Sequence, residues 1–486
     1  MSLFGRNSFG WIHSIVHGER VSHIAYDAEW RILHNARTGR PVAEQTRPAF
    51  GARAICEFGI GRSPGYCDFC SMTKACLFAL IAATSLGSVQ AKDFVVTDHG
   101  AVGDGNVLDT SAIQATIDAA HDAGGGRVVI PAGIFRSGAI FLRPGVEFHV
   151  AKDGVLLGSE DIEDYPWRET RIEGHVEPWR MALINAEDIA GLRISGPGTI
   201  NGSGPVYWSA FWQRRRANPQ CTNLEVERPR MFFVERCTDV RIEGLHLRDS
   251  GFWNVHLYRC HDVVLDGLDI LSPSAGRPLR APSTDGVDID SCQNVTVRRC
   301  TISVDDDCIA LKGSKGPLAD RDASSPPVEN ILVEGCTFRA GGGVVTCGSE
   351  ATIVRHVIVR DCDVIGRINV VRLKLRPDTP QRYEDLRFEN LRLEGSGRIF
   401  EVGPWTQFFD LQGHPAPSRA INGVTLRGLT GHYGSLGRIV GNPGDVITGV
   451  RLENLDLTLA DPALQRAPGV EVVAENVVIN GHAFVP

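Results

Sequence analysis

The sequence predicts an all-β fold: a single-stranded, right-handed parallel β-helix with an N-terminal α-helical cap. Three observations carry that expectation. A phrase of the form apolar-x-apolar-x-x-apolar-x-apolar starts at Val240, Val263, Val295, Ile331, Val357, Leu386, Val424, Val450 and Val477, with a partial copy at Leu192-x-Ile194. Successive full copies start 23 to 38 residues apart with no helical pattern between them, which is the spacing of a solenoid. Cys237, Cys260 and Cys292 each stand three residues before a start, as a position stacked from coil to coil would.

Within each copy the alternation has period two, so the pieces are strands with one buried face. The breaks between them, such as Glu243-Gly244, Asp266-Gly267 and Glu389-Asn390, are turn chemistry. One coil cannot bury its apolar face alone, and stacking builds a continuous core. A β-sandwich also contains many short strands but gives no reason for one phrase to recur. The exposed end of such a stack needs cover, and residues 93–145 supply it. Ser111-Ala112-Ile113-Gln114 reads as a capping box, Ile113, Ile117 and Ala120 share a helix face, and Gly124-Gly125-Gly126 ends the helix. Arg127–Pro131 and Ala139–Leu142 are the first strands expected after it.

The N-terminal region reads differently. Met72-Thr73-Lys74, an apolar run from Ala75 to Leu86, and Val89-Gln90-Ala91 form a secretory signal peptide, too short to span a bilayer comfortably. Its internal position divides the chain into 1–71, an upstream extension expected to be without order; 72–91, the signal; and 92–486, the β-helix domain. The protein is then secreted or periplasmic, free of the membrane after cleavage, and monomeric. Cleavage after Ala91 leaves 41 basic and 52 acidic residues, a formal charge of −11, against −8 for the whole chain. That balance excludes nucleic acid held by a broadly basic surface. Nine of 13 cysteines remain, an odd number that points to buried stacked thiols rather than a disulfide framework.

Carboxylates gather in Thr284-Asp285-Gly286-Val287-Asp288-Ile289-Asp290 and Asp305-Asp306-Asp307-Cys308. Asp285 and Asp306 are 21 residues apart, close to one coil, and coils stack about 4.8 Å apart. Asp285, Asp306 and Asp307 therefore converge, whereas Asp288 and Asp290 read as outward-facing strand residues. Crowded carboxylates raise one another's pKa, so one stays protonated while others ionise, the division that glycoside hydrolysis needs. A Ca²⁺ site is the competing reading. Period two puts Arg372 and Lys374 on one side of a strand, a pair suited to an anionic sugar. Lysine is rare here, six residues against 44 arginines, which singles out Lys374. Weaker signals are the run Gln213–Arg216, the segment Trp405–Phe408, and insertions Ser272–Pro282 and Gly313–Val328 beside the acids.

In order, Ser283-Thr284-Asp285-Gly286, Asp306-Asp307-Cys308, Gly341-Gly342-Gly343 and Arg372-Leu373-Lys374 resemble the NTD, DD, GHG and RIK signatures of the polygalacturonases, family 28 glycoside hydrolases. The resemblance covers roughly residues 93–460. It implies a right-handed β-helix and inverting hydrolysis of galacturonate linkages in an acidic plant polysaccharide (pectin, polygalacturonate or rhamnogalacturonan), with no metal and no cofactor. By the same resemblance Asp306 is the general acid, Asp285 and Asp307 activate the water, and Arg372 and Lys374 hold the substrate carboxylate. The histidine of GHG is replaced by Gly342, and His256 and His356 are the candidates to stand in for it, His256 as a substrate contact. Two other functions remain open: a Ca²⁺-dependent lyase with Arg372 as base, and a non-catalytic carbohydrate-binding β-helix.

Overall fold

A computed structural model of the chain describes residues 92–274 and 279–486, together with five short strands between residues 2 and 42. The chain divides into two compact units, Met1–Gly87 and Ser88–Pro486. In the first, strands Ser2–Asn7, Gly10–His17 and Arg20–Ala25 pair antiparallel, and Leu33–His34 pairs with Pro41–Val42, where the sequence suggests no order. The expected signal segment 72–91 lies outside the described residues.

The second unit is a parallel β-helix. Its strands stack in three faces, each pairing in parallel with its counterpart one coil on. On the first face the repeat starts fall in register: Val240, Val263, Val295, Ile331, Val357, Leu386, Val424 and Val450 are partners in succession. All eight are buried, and burying such a side chain contributes about 1.5–3 kcal/mol. The last copy is displaced, because the partner of Val450 is Val472 while Val477 pairs with Leu455. The residue before each start bends the chain in the left-handed region: Asp239, Asp262, Asn294, Asn330, His356, Asp385, Gly423 and Gly449 all have positive φ, a conformation that asparagine, aspartate and glycine adopt most readily. Their side chains bond along the stack, Asn294 Nδ2 donating to Asp262 Oδ1 at 2.9 Å and Asn330 Nδ2 to Asn294 Oδ1 at 3.0 Å. His356 belongs to this ladder.

Helix α1, Thr110–Asp122, buries Ile113, Thr116, Ile117 and Ala120 and packs on the strands Asp93–Val95, Gly126–Ile130 and Ile140–Phe141. It has no capping box. The residue before it, Asp109, spends its carboxylate on the backbone N–H groups of Val102 and Gly103, at 2.7 and 3.0 Å. All nine cysteines of this unit are buried and unpaired. Some stack as expected, the Cys260 N–H donating to Cys292 Sγ at 3.2 Å.

Two elements carry no repeat signature. Helix α2, Gly204–Ala217, includes the run Gln213–Arg216, in which Arg214 pairs with Glu225 at 2.6 Å and Arg215 donates to the Cys221 carbonyl. A hairpin of Trp167–Ile172 and His175–Arg180 reaches across several coils of the third face. Its Arg171 donates to Asp290 Oδ2 at 2.8 Å and to Ser314 Oγ at 3.2 Å, and its tip residue Gly174 packs on Glu350 and Lys315.

Candidate active site

The third face holds the chemistry. Strands Val255–Tyr258, Val287–Asp290 and Ile309–Lys312 are partners in turn, so the residue two before each strand occupies one position in three coils: Trp253, Asp285 and Asp307. Backbone bonds hold this register, Asn254 N–H donating to the Asp285 carbonyl and Gly286 N–H to the Asp307 carbonyl, both at 2.9 Å. Asp285 thus stacks on Asp307, and Asp306, one residue aside, reaches the same patch. One carboxylate oxygen from each of the three lies within 4.8 Å of the others. The next coils supply Gly342, whose N–H donates to the Asp306 carbonyl at 2.8 Å, and strand Asn369–Leu375 with Arg372 and Lys374.

Arg372 and Lys374 both grip Asp307. Arg372 Nη1 donates to Oδ1 at 2.6 Å and Lys374 Nζ to Oδ2 at 2.7 Å, while the Trp405 ring lies 4.7 Å from Lys374 Nζ. Burial opposes the ionisation of Asp307, but these two cations hold its carboxyl well below the usual range. Asp306 has no such partner. Burial, then the charges of Asp285 and Asp307, push its pKa up to about 7. Adjacent carboxyls are therefore driven apart, one holding its proton up to about neutral pH and one ionised, the arrangement that assigns acid and base.

Asp288 and Asp290 point outward but are not exposed, contrary to the expectation above. The hairpin and Lys312 cover them, leaving them 0% and 1% exposed. Arg171 and its hydrogen bonds keep Asp290 ionised against the effect of burial, whereas burial and the neighbouring Asp285 push Asp288 well up. Lys312, which sequence reasoning passed over, sits among Asp285 at 3.2 Å, Asp288 at 3.4 Å and Glu350 at 3.6 Å, with its ammonium 4.6 Å from the Trp253 ring, a cation–π distance. Two signals pointed to it: lysine is rare, and Lys312 is the register partner of Asp290.

Neither histidine candidate faces the acid. His256 is fully buried, edge-on to Trp253 at 4.8 Å, so it is not a substrate contact. Its Nδ1 lies 2.9 Å from Arg230 Nη1, which can only donate, so the ring proton sits on Nε2. Burial depresses its pKa to about 3, and it acts as a neutral packing group. His356 is on the first face, bonded to Asp385 at 3.1 Å. The space a side chain at Gly342 would fill is instead occupied by the Arg372 guanidinium.

A groove of about 380 Å³ opens over the acids. Asp285, Asp306, Lys312, Arg372, Lys374 and Trp405 line it, with Phe211, Trp212 and Arg215 of α2, the hairpin tip Glu173 and Phe408 as walls. It continues past Gly342, Arg372 and Trp405 into a second hollow of about 630 Å³ flanked by Arg367, Arg398 and Arg438.

Paired protonated and ionised carboxyls in a cation-lined groove on a β-helix suit an enzyme that cleaves glycosidic bonds in an anionic glycan. Comparison with known proteins agrees. The model of "Glycosyl hydrolases family 28" matches residues 169–468, and the chain belongs to that family; it is a glycosidase. It is 26% identical over 389 residues to a probable polygalacturonase of Vitis vinifera, covering 77% of this chain and 76% of that one. It is 25% identical over 314 residues to an exopolygalacturonase of Zea mays, covering 63% and 68%. The crystal structure of a hyperthermoactive exopolygalacturonase from Thermotoga maritima superposes with a TM-score of 0.65 at 22% identity, over 81% of this chain and 93% of that one.

Proposed function

We propose that this enzyme hydrolyses galacturonic-acid linkages in pectin outside the cytoplasm, by acid and base catalysis with inversion. The observation that carries the reading is the split between Asp306, kept protonated near neutral pH, and Asp307, kept ionised. Asp306 gives its proton to the leaving glycosidic oxygen. Asp285 and Asp307 orient the attacking water and one of them takes its proton, and Lys374 with the remaining N–H groups of Arg372 meets the uronate carboxylate. The names of the relatives support pectin as the substrate. The apolar run after Met72 supports export, and no helix among the described residues is long and apolar enough to cross a membrane.

Chain-end action fits the walls. Helix α2, the hairpin tip and Phe408 bound the groove near the acids, and the opposite direction runs on past Arg372. A uronate chain entering from that side stops after few residues beyond the scissile bond. The lyase alternative fits poorly. Its base must lose a proton, but Arg372 is held charged against burial by Asp307. A calcium ion among the three aspartates would also meet Lys312 and Lys374.

The deciding experiment measures reducing ends released from polygalacturonate and from rhamnogalacturonan in EDTA, for wild type and Asp306→Asn. Chelator-resistant release that the substitution abolishes supports the reading. Products of one or two residues from the start indicate chain-end action, and an early ladder of oligomers rejects it. The anomer first formed, read by NMR, tests inversion.

A further inference from the structure

We propose that Gly342 and Arg372 form a positioning pair: the bare α-carbon at 342 makes a slot that seats the Arg372 guanidinium against Asp307 and keeps that carboxylate charged and aimed. The kinetic consequence rests on the hydrolase reading above; the pairing itself does not.

Glycine is not needed at 342 for its conformational freedom, because its φ lies outside the left-handed region. Space is the reason. A Cβ built there overlaps Arg372 Nη1, and it would stand 2.7 Å from Asp307 Oδ1 and 3.3 Å from Arg372 Cζ. Gly343 forms the second wall, since its Cβ would lie 2.9 Å from Arg372 Cβ and 3.2 Å from Cδ. Asn369 Nδ2 holds the glycine segment by donating to the Gly342 carbonyl at 2.6 Å, and the Trp405 ring stands 5.7 Å from Arg372 Cζ on the open side. The guanidinium is therefore fixed by glycines, an indole and a carboxylate before any substrate arrives.

Asp307 is faced from every side. Arg372 and Lys374 approach from strand Asn369–Leu375 and Thr346 from Gly343–Cys347, Asp285 and Lys312 lie beside it, and Asp306 and Cys308 are its chain neighbours. Of the groups around Asp307, only Arg372 fills the hollow at 342, and Asp307 Oδ1 itself forms its edge. An alanine there pushes the Arg372 guanidinium aside and presses on Asp307 Oδ1, but its nearest contacts are all with side-chain atoms, so the fold survives the change.

Four proteins test the pair: wild type, Gly342→Ala, Arg372→Ala and the double variant. In urea unfolding, which requires no substrate, Gly342→Ala is expected to lower the midpoint in the wild-type background and to lower it by clearly less in the Arg372→Ala background, where only the contact with Asp307 Oδ1 remains. Equal losses in both backgrounds overturn the pairing. In the pH profile of kcat/KM on polygalacturonate, both single variants are expected to raise the acidic limb by about one unit or more, the usual effect of losing an adjacent opposite charge, which is a tenfold loss per unit below the limb. An unmoved limb overturns the positioning role, because general loosening of the fold lowers activity without moving it. If the wild type releases nothing from polygalacturonate or rhamnogalacturonan, the reading of galacturonic-acid linkages as substrate fails and the urea comparison alone decides the pairing.

Discussion

Lys312 gives the most demanding test of how the site is held. The residue is 5% exposed, and its ammonium serves Asp285, Asp288 and Glu350 together. In Lys312→Met the stem is kept and the charge removed, so the carboxyls lose the one cation among the described residues within 4 Å of all three. Removing one partner of a buried ion pair typically destabilises by about 3–5 kcal/mol. The pH dependence has a definite sign. The carboxylates raise the Lys312 pKa well above its ordinary value, outweighing burial, so its contribution is complete below about pH 10 and is lost only as pH rises through the raised value. Burial opposes ionisation of Glu350, but Lys312 and Lys315 depress its pKa, so its contribution is present above about pH 4 and is lost as pH falls through the depressed value. The difference between wild type and variant is thus greatest from about pH 5 to 10 and narrows in acid, where the variant's carboxyls take up protons. Urea unfolding followed by tryptophan fluorescence at pH 4.5 and 7.5 reads it, with Trp253 as a reporter against the ammonium. A loss below about 1 kcal/mol at pH 7.5, or an equal loss at both pH values, would refute the claim that Lys312 neutralises this cluster.

Asp306→Asn is expected to lower kcat by about 10²–10⁴-fold, the contribution of a positioned general acid, with little change in the unfolding midpoint; a loss under tenfold argues for another acid. In wild type, kcat/KM is expected to fall above about pH 7 as Asp306 loses its proton, and a profile flat to pH 9 contradicts that role. Trp405→Ala should raise KM on polygalacturonate more than it lowers kcat, because the ring lies under the two cations rather than beside the acids. Thiol titration of the protein lacking residues 1–91 should count nine reactive groups in denaturant and almost none in the folded state.

The β-helix was legible because each coil repeats one solution to one burial problem, and the register Val240 to Val450 follows from the phrase alone. The acids were legible because residues about one coil apart must stack. What escaped lies off the repeat. Hairpin Trp167–Arg180 and helix α2 pack against the outside of the coils, so no internal period announces them, and covering by the hairpin turned Asp288 and Asp290 from expected surface residues into buried ones. The capping box expected at Ser111–Gln114 failed for a local reason: the helix already begins at Thr110, and the Gln114 amide is spent on the backbone of Phe141. His256 was misread because alternation along a strand distinguishes inward from outward and cannot tell which outward residues another segment covers.

The hairpin has a consequence for unfolding. A stack whose coils touch only their neighbours behaves like a one-dimensional chain that frays from its ends. Arg171 breaks that locality by binding Asp290 and Ser314, residues 119 and 143 positions further along, and Arg230 ties back to it by donating to the Arg171 carbonyl at 2.6 Å. Coils on either side of the acids are therefore fastened to one strap and should open together as a single cooperative unit, with hydrogen exchange at Val255–Tyr258 and Ile309–Lys312 slowing in concert.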